Sequence, residues 1–434
     1  MVTAAVVPAK GTSIRIPNKN IQIIDGEYLF KRKLIQLLDC SEIDEVWLDS
    51  DNENIHSLAS DLPIKHLYRE KNLSDNSSDG HDIFSNASKH IKCDILVQAL
   101  CTSPFIEKDT IDPAILALKS SSKSSLVAVS EQKIYEWENN KPKYGFDKIP
   151  NSVDLITRQI ESMGLYIVKT NNQQVHKRFT EDVLLYTIDP HLTIDINNMH
   201  DLAFCKTICS GHRNKTVNKF KILSKSISSC LISDICKSYN IPHFLGKNIR
   251  PLCKGSFMGF AKTLKLRALT EEEKKDKNKW KDIFKAVNSY DFIESGDVIV
   301  VQNDLKNKAY FGDLNAHFAY KNGAVGVVID GLTRDIERVS SLGLPVYAHG
   351  NQPDDIRYEG TLEAINQPIT INNICIKNND IIFADLDGVV CVSRNKLDLI
   401  YSELKNNLKT EMIVKLEAIF DSKPQDILDN IGLF

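Results

Sequence analysis

The chain has 434 residues, which at about 100–200 residues per domain predicts two or three domains. Its 42% hydrophobic and 26% charged residues are ordinary for a globular protein and exclude a chain dominated by disorder. The 54 Lys and Arg against 57 Asp and Glu leave a net charge of −3, so no global basic field points to nucleic acid. No run approaches the ~18 apolar residues of a membrane-spanning helix. The start, MVTAAVVPAKG, lacks the charged-then-apolar layout of a signal peptide and enters a strand-like run directly. The 10 cysteines are scattered without a CxxC pair. They predict free thiols in a reducing cytoplasm rather than a disulfide framework or zinc ribbon.

In chain order, residues 4–8 read as a buried strand and residues 28–38 as a helix. Residues 45–49 follow as a strand, with a helix around 53–62. A strand over 94–100, a helix over 109–120 and a strand over 124–129 complete the rhythm. Such βαβα alternation predicts an α/β fold: a parallel sheet with helices on both faces, binding ligands beyond the carboxyl ends of its strands. The polar stretch 211–218 is the expected boundary, giving domains 1–212 and 219–434. Beyond it come a helix over 227–239, a strand over 298–302 and a helix over 315–322. A strand over 324–329, a helix over 334–342, a strand over 346–348 and terminal helices from about 395 follow. The charge run 271–281 reads as a solvated helical face or an insertion.

The first strand runs straight into Pro8-Ala9-Lys10-Gly11-Thr12-Ser13-Ile14-Arg15-Ile16-Pro17-Asn18-Lys19-Asn20. A loop there offers backbone N–H groups and three cations within ten residues, which suits a triphosphate. The segment resembles the PARxGSxRxPxKN signature of the CMP-sugar synthetases, the N-acylneuraminate and 3-deoxy-manno-octulosonate cytidylyltransferase family. Further resemblances follow in order: Leu48-Asp49-Ser50-Asp51, then Arg69 with Leu73-Ser74-Asp75, then Gln98 with Thr102-Ser103-Pro104. Arg158-Gln159 with Glu161–Tyr166, and Thr193–Asn197 before Asp201-Leu202, complete the set, which covers about residues 1–210.

The resemblance implies a Rossmann-like nucleotidyltransferase domain that joins CTP to a sugar acid, releasing pyrophosphate with Mg²⁺. Lys10, Arg15 and Lys19 would hold the phosphates, together with the loop residues Ala9, Gly11, Ser13 and Asn20. Gln98 and Arg69 would lie near the base and the sugar acid, Gln159 would contact substrate, and Asp195 would hold Mg²⁺. Three positions depart from the family pattern. Its loop Arg is Lys10, which keeps the charge but loses the fork. Its second metal-side Asp is Asn197, and its QPTSP is stretched to residues 98–104. They leave the acceptor open, a phosphonate included.

In the second half, Gly312-Asp313-Leu314 opens a helix, and Arg334-Asp335 follows 21 residues beyond Asp313. Backbone N–H groups at a helix start favour an anion, Arg offers a carboxylate fork, and Asp offers a hard-metal ligand. One small α-keto acid fits all three. Residues 221–434 resemble the family of 4-hydroxy-4-methyl-2-oxoglutarate aldolases and RraA-like proteins. The landmarks are Ile249–Leu252, Ser295–Val301, Gly323–Asp335, Leu344–Gly350 and Ala384–Val390.

This second resemblance implies a pyruvate aldolase dependent on Mg²⁺ or Mn²⁺, trimeric or a dimer of trimers. Arg334 and Leu314 would hold pyruvate, Asp335 would ligate the metal, and Asp313 would order its waters. Glu411 matches an acid that reaches a neighbour's metal, with Glu403 and Glu417 as nearby alternatives. The RraA-like branch shares the fold without catalysis. Among the histidines, which form no metal-ligand spacing, His349 alone falls near this pocket. Both halves handle α-keto acids, so the fusion predicts consecutive steps: an aldol step on pyruvate, then activation of the acid with CTP. The alternatives are a second half that only oligomerises the chain and a binding or regulatory protein. A dimeric first half with a trimeric second half would give a hexamer. The expected location is the cytoplasm.

Overall fold

The computed structural model describes residues 1–74, 78–420 and 423–431; Asp75, part of one resemblance above, lies outside them. The chain divides into two compact units, Met1–Cys209 and Ser210–Phe434. No helix among the described residues is long and apolar enough to cross a membrane. All ten cysteines are free thiols.

The first unit is built on seven strands: β1 (Thr3–Pro8), β2 (Glu45–Ser50), β3 (Lys65–Tyr68), β4 (Ile95–Ala99), β5 (Ser125–Gln132), β6 (Arg158–Lys169) and β7 (Val183–Ile188). Their order is β7-β5-β6-β4-β1-β2-β3. The central strands β1 and β4 are buried on both faces, so their sequences are apolar runs rather than alternations. The sheet is mixed, not parallel throughout as the sequence predicts: β6 runs antiparallel to both β4 and β5. No α-helix separates β5 from β6, and without a helical crossover the chain returns antiparallel. Helices α1 (Leu29–Leu38), α2 (Glu53–Leu58), α3 (Gly80–His90) and α4 (Lys108–Ser120) cover the sheet. Helix α2 is four residues shorter than expected. Helix α3 starts on a capping box between Asp79 and Asp82.

Helix α1 carries a lysine into the core. Lys33 is 1% exposed and donates to the Ile106 carbonyl oxygen at 2.6 Å. Burial, helped by the neighbouring Arg32 charge, pulls its pKa down to about 7. The unfolded chain therefore holds a proton between pH 7 and about 10.4 that the folded chain lacks, and stability rises with pH across that window. Each tenfold of proton affinity lost is worth about 1.4 kcal/mol. Lys33→Met should gain stability relative to the natural chain at pH 7 and lose most of that advantage at pH 9.5. Urea unfolding at the two pH values measures the difference.

Helix α5 (Met199–Ser226) runs through the polar stretch expected as the domain boundary, and the division between units falls inside it. Tertiary contacts override local propensity there. Arg213 donates from Nε to the Ser295 carbonyl oxygen at 2.8 Å and pairs with the fully buried Asp297, while Phe220 is 1% exposed. The charge run over residues 271–281 has no buried residue, as expected of a solvated face, and falls on two 3₁₀ segments, Glu273–Lys275 and Lys279–Phe292. The second buries Ile283, Ala286, Tyr290 and Phe292.

The second unit holds eight strands in one sheet: β8 (Arg250–Pro251), β9 (Phe257–Ala268), β10 (Asp297–Asn303), β11 (Gly326–Asp330), β12 (Val346–Ala348), β13 (Gly360–Ile365), β14 (Ile381–Asp385) and β15 (Gly388–Val392). The order is β8-β12-β11-β10-β9-β14-β15, with β13 also on β9. Strands β9 to β12 are parallel. A second, three-stranded parallel sheet joins Ala309–Phe311, Leu332–Thr333 and Gly350–Asn351. Helices α6 (Ser229–Ser238), α7 (Asp313–Lys321), α8 (Ile336–Ser341), α9 (Leu397–Ile419) and α10 (Pro424–Ile431) complete the unit.

Candidate functional site

Strands β1 and β2 are parallel neighbours, with Pro8 opposite Asp49. The loops leaving their carboxyl ends therefore meet. Ala9 donates its N–H to the Asp49 carbonyl oxygen, and Gly11 donates its N–H to Asp51 Oδ1, both at 2.8 Å. At Gly11 a Cβ would stand 2.5 Å from Asn52 Nδ2 and 2.7 Å from Asn52 Cβ, so the approach of the two loops demands glycine. Asn20 donates to the Lys10 carbonyl oxygen at 2.8 Å and accepts from the Cys101 thiol at 3.3 Å. Ile16 is fully buried and anchors the loop's middle. The result is a cavity of about 220 Å³ lined by Lys10, Gly11, Asn18, Asn20, Asn52 and Asn54, among others.

Three cations surround this loop. Lys19 reaches the Ile196 carbonyl oxygen at 2.9 Å. Burial lowers its pKa, the charges of Asp195 and Cys101 oppose the shift, and Arg15 and Lys10 add to it. Mutual repulsion of that kind is relieved by an anion. Arg15 is exposed and Ser13 half-buried. Next to Lys19, Asp195 accepts from Asn197 Nδ2 at 2.6 Å through Oδ2. Its Oδ1 is buried and has no hydrogen-bond partner among the described residues. An orphaned, buried carboxylate oxygen beside a phosphate-type cradle fits a divalent cation.

Strand β4 delivers Gln98, fully buried, with neither end of its amide partnered among the described residues. It lies opposite Tyr166 of β6, whose hydroxyl donates to Glu161 and whose ring sits under the Arg178 guanidinium at 4.8 Å. Gln159 and Glu161 border a second, mostly apolar cavity of about 300 Å³ with Val127, Val129, Phe179 and Leu185. Arg69 has a partner that the sequence does not signal. Its guanidinium forks onto the fully buried Asp49, Nε to Oδ1 at 2.9 Å and Nη2 to Oδ2 at 2.6 Å, which spends that face on the fold.

In the second unit the three-stranded sheet does the gathering. Phe311 lies opposite Thr333, and Thr333 opposite Asn351. Residues just beyond those strand ends, far apart in sequence, become neighbours. Asp313 donates its N–H to Asp335 Oδ2 at 3.2 Å. At Gly312, the N-cap of α7, a Cβ would stand 2.7 Å from Asp335 Oδ2 and 3.0 Å from Arg334 Cγ. Leu314 follows within the first turn, where backbone N–H groups have no helical acceptor; its residue is 74% exposed. Asp335 takes a left-handed backbone, φ 56°. The Asp313 carboxylate faces His317 Nδ1 at 3.3 Å and Arg338 at 3.7 Å.

Arg334 is engaged in a way the sequence does not signal: Nη1 contacts Asp355 Oδ2 at 2.9 Å, while Nε is buried without a hydrogen-bond partner among the described residues, 3.6 Å from Asp335 Oδ2. His349 contacts Asp330 at 3.1 Å. Burial works to raise the Asp330 pKa, but hydrogen bonds from His349 and Lys306 hold it below the usual carboxylate value. Glu411 lies on α9 and pairs with Lys415 at 3.1 Å. Among the described residues no three His, Cys, Asp or Glu side chains form a ready-made metal cluster.

Residues 4–148 match the Cytidylyltransferase family model, and residues 229–391 match the RraA-like model, described as Aldolase/RraA. The chain carries a cytidylyltransferase domain and an RraA-like domain. It is an enzyme with a nucleotidyltransferase domain followed by an aldolase-like one. The cytidylyltransferase domain is similar to pseudaminic acid cytidylyltransferase of Campylobacter jejuni, 27% identical over 224 residues, covering 48% of this chain and 96% of that protein. The chain is also 29% identical over 139 residues to a provisionally named 4-hydroxy-4-methyl-2-oxoglutarate aldolase of Halalkalibacterium halodurans, covering 31% of this chain and 60% of that one. A third relative, protein DlpA of Legionella pneumophila, is 32% identical over 113 residues, which cover 26% of this chain and only 18% of that protein's length.

Proposed function

We propose that the cytidylyltransferase domain joins CTP to a 2-keto-3-deoxy sugar acid, forming a CMP-sugar and releasing pyrophosphate. The RraA-like domain acts on the same class of acid, forming it from pyruvate and an aldehyde before activation, or cleaving it. The observation that carries the first half of this reading is the Lys19 arrangement: a half-buried cation held on the Ile196 carbonyl at a glycine-bearing loop, under the charges of Asp195, Arg15 and Lys10.

The phosphates lie against the N–H groups of residues 9–13 and the Lys10, Arg15 and Lys19 charges, which stabilise the negative charge that grows as the acceptor hydroxyl attacks the α-phosphorus. Gln98, with its unpartnered buried amide, reads the base or the sugar acid, and Gln159 borders the acceptor. Asp195 would hold Mg²⁺ in this domain and Asp335 would hold Mg²⁺ or Mn²⁺ in the other; such a cation supplies positive charge and Lewis acidity where the substrate becomes anionic. One or two carboxylates with water and substrate suffice for Mg²⁺. In the second pocket Arg334 and the Leu314 N–H bind the keto-acid carboxylate.

We further propose a cytoplasmic homo-oligomer. In the first domain, Trp137, Phe146, Ile149, Val153 and Ile156 are exposed on one segment between β5 and β6, an apolar surface that a second copy would cover in a dimer. The trimer or hexamer rests on the RraA-like resemblance.

Coupling is tested by supplying CTP with pyruvate and an aldehyde in place of a preformed acid. Pyrophosphate release in that arm supports the two-step reading, and Arg334→Ala should abolish it while sparing release from the preformed acid. Release from the preformed acid alone favours a second reading, in which the RraA-like domain is a non-catalytic module. The Asp355 carboxylate on Arg334 is the observation on that side.

A further inference from the structure

We propose that Asp355 sets the substrate affinity of the RraA-like domain as an internal carboxylate that competes with the keto acid for Arg334. The inference rests on the reading of Arg334 as the carboxylate anchor. Asp355 Oδ2 stands 2.9 Å from Arg334 Nη1, where one oxygen of an incoming carboxylate would bind. A carboxylate matched to a guanidinium makes two parallel hydrogen bonds. Asp355 makes one, and Arg334 Nε stays buried and unpartnered, 3.6 Å from Asp335 Oδ2 and so beyond hydrogen-bond reach. Nε and Nη1 lie on different edges of the guanidinium, so the fork in competition is Nη1 with Nη2: Asp355 holds one of its two positions, and a bidentate substrate carboxylate on that edge must displace it.

The segment that presents Asp355 is pinned to the small sheet. Ala309 donates its N–H to the Asp354 carbonyl oxygen and accepts from the Ile356 N–H, both at 3.0 Å. The competing carboxylate therefore does not drift away unaided. It also has a second partner: Oδ1 accepts the Arg357 backbone N–H at 2.6 Å and Arg357 Nε at 3.2 Å. A substrate that takes Arg334 leaves Asp355 paired with Arg357 rather than buried as an unpaired charge. Exchange is thus possible at a cost, and the cost appears as weaker apparent affinity, in proportion to the fraction of Arg334 left open. Such a pocket responds to carboxylate concentration rather than staying saturated.

The test uses oxalate with Mg²⁺, titrated calorimetrically into the full chain. Asp355→Asn keeps the shape and removes the competing charge; it should bind oxalate about tenfold more tightly. Arg357→Gln removes the guanidinium from Asp355 and leaves it the backbone N–H of residue 357; it should weaken oxalate binding, which gives an independent arm if the first variant folds poorly. Arg334→Ala should lose binding, and Asp355→Asn added to it should restore nothing. Unchanged or weaker binding in Asp355→Asn, with binding lost in Arg334→Ala, overturns the competition and leaves the anchor reading intact: Asp355 would then only position Arg334. Full binding in Arg334→Ala overturns the anchor reading and the proposal with it.

Discussion

Lys19→Ala should lower CTP-dependent pyrophosphate release by about 10²–10³-fold while the chain stays folded, the loss typical of removing one pre-aimed charge-stabilising donor from a transition state. The magnitude separates function from packing. The ammonium donates to a neutral carbonyl, that of Ile196, and a bond of that kind contributes about 0.5–1.5 kcal/mol to stability. A structural role alone would shift the unfolding midpoint slightly and leave turnover per folded molecule untouched. Lys19→Arg should recover part of the activity, because the charge returns in a bulkier form. Steady-state assays on the two variants, normalised to folded protein, decide the point. Full turnover in Lys19→Ala would remove the cation from the account.

Arg69→Ala should destabilise the first domain by about 3–5 kcal/mol, because it strands the fully buried Asp49 without its partner. Burial already raises the Asp49 pKa in spite of the Arg69 fork, so the carboxylate depends on that fork to stay charged. In the variant the penalty should shrink as pH falls, since a protonated Asp49 no longer needs a cation. Replacing both partners together, Arg69→Met with Asp49→Leu, should recover most of the loss. Urea unfolding of the single and double variants gives the comparison. A fully stable Arg69→Ala chain with impaired CTP use would return Arg69 to the nucleotide site, where the sequence first placed it.

The contrast between these residues shows what the sequence carries. The loop over residues 8–20 is legible because its chemistry is local: glycine, three cations and two asparagines within one turn of chain. Most strands and helices are legible for the same reason, being apolar runs of the right period. The pairing of Arg69 with Asp49 is not, because twenty residues and a parallel register separate them, and an arginine beside a nucleotide motif reads as a ligand until its partner is seen. Helix α5 is missed because Gly211 and its polar neighbours favour a loop, whereas contacts such as Arg213 on the buried Asp297 and Phe220 in the core hold them helical. The antiparallel return of β6 is missed because a motif was visible there and a strand direction was not.

In the second unit, Asp313, Arg334 and Asp335 are legible as a group. Asp355 is not: it reaches Arg334 through the pairing of Ala309–Phe311, Leu332–Thr333 and Gly350–Asn351, strands too short to declare themselves. The histidines teach the same lesson. His56 and His66 show no ligand-like spacing, yet their Nδ1 atoms lie 2.8 Å apart.

The central claim is that this chain transfers a cytidylyl group to a keto sugar acid. The most direct measurement is ³¹P NMR of the full chain with CTP, Mg²⁺ and a panel of 2-keto-3-deoxy acids. The account predicts loss of the CTP signals, appearance of free pyrophosphate, and one new phosphodiester resonance from CMP joined to the acid, for at least one member of the panel. Unchanged CTP across the whole panel, or pyrophosphate accompanied only by free CMP, would contradict it.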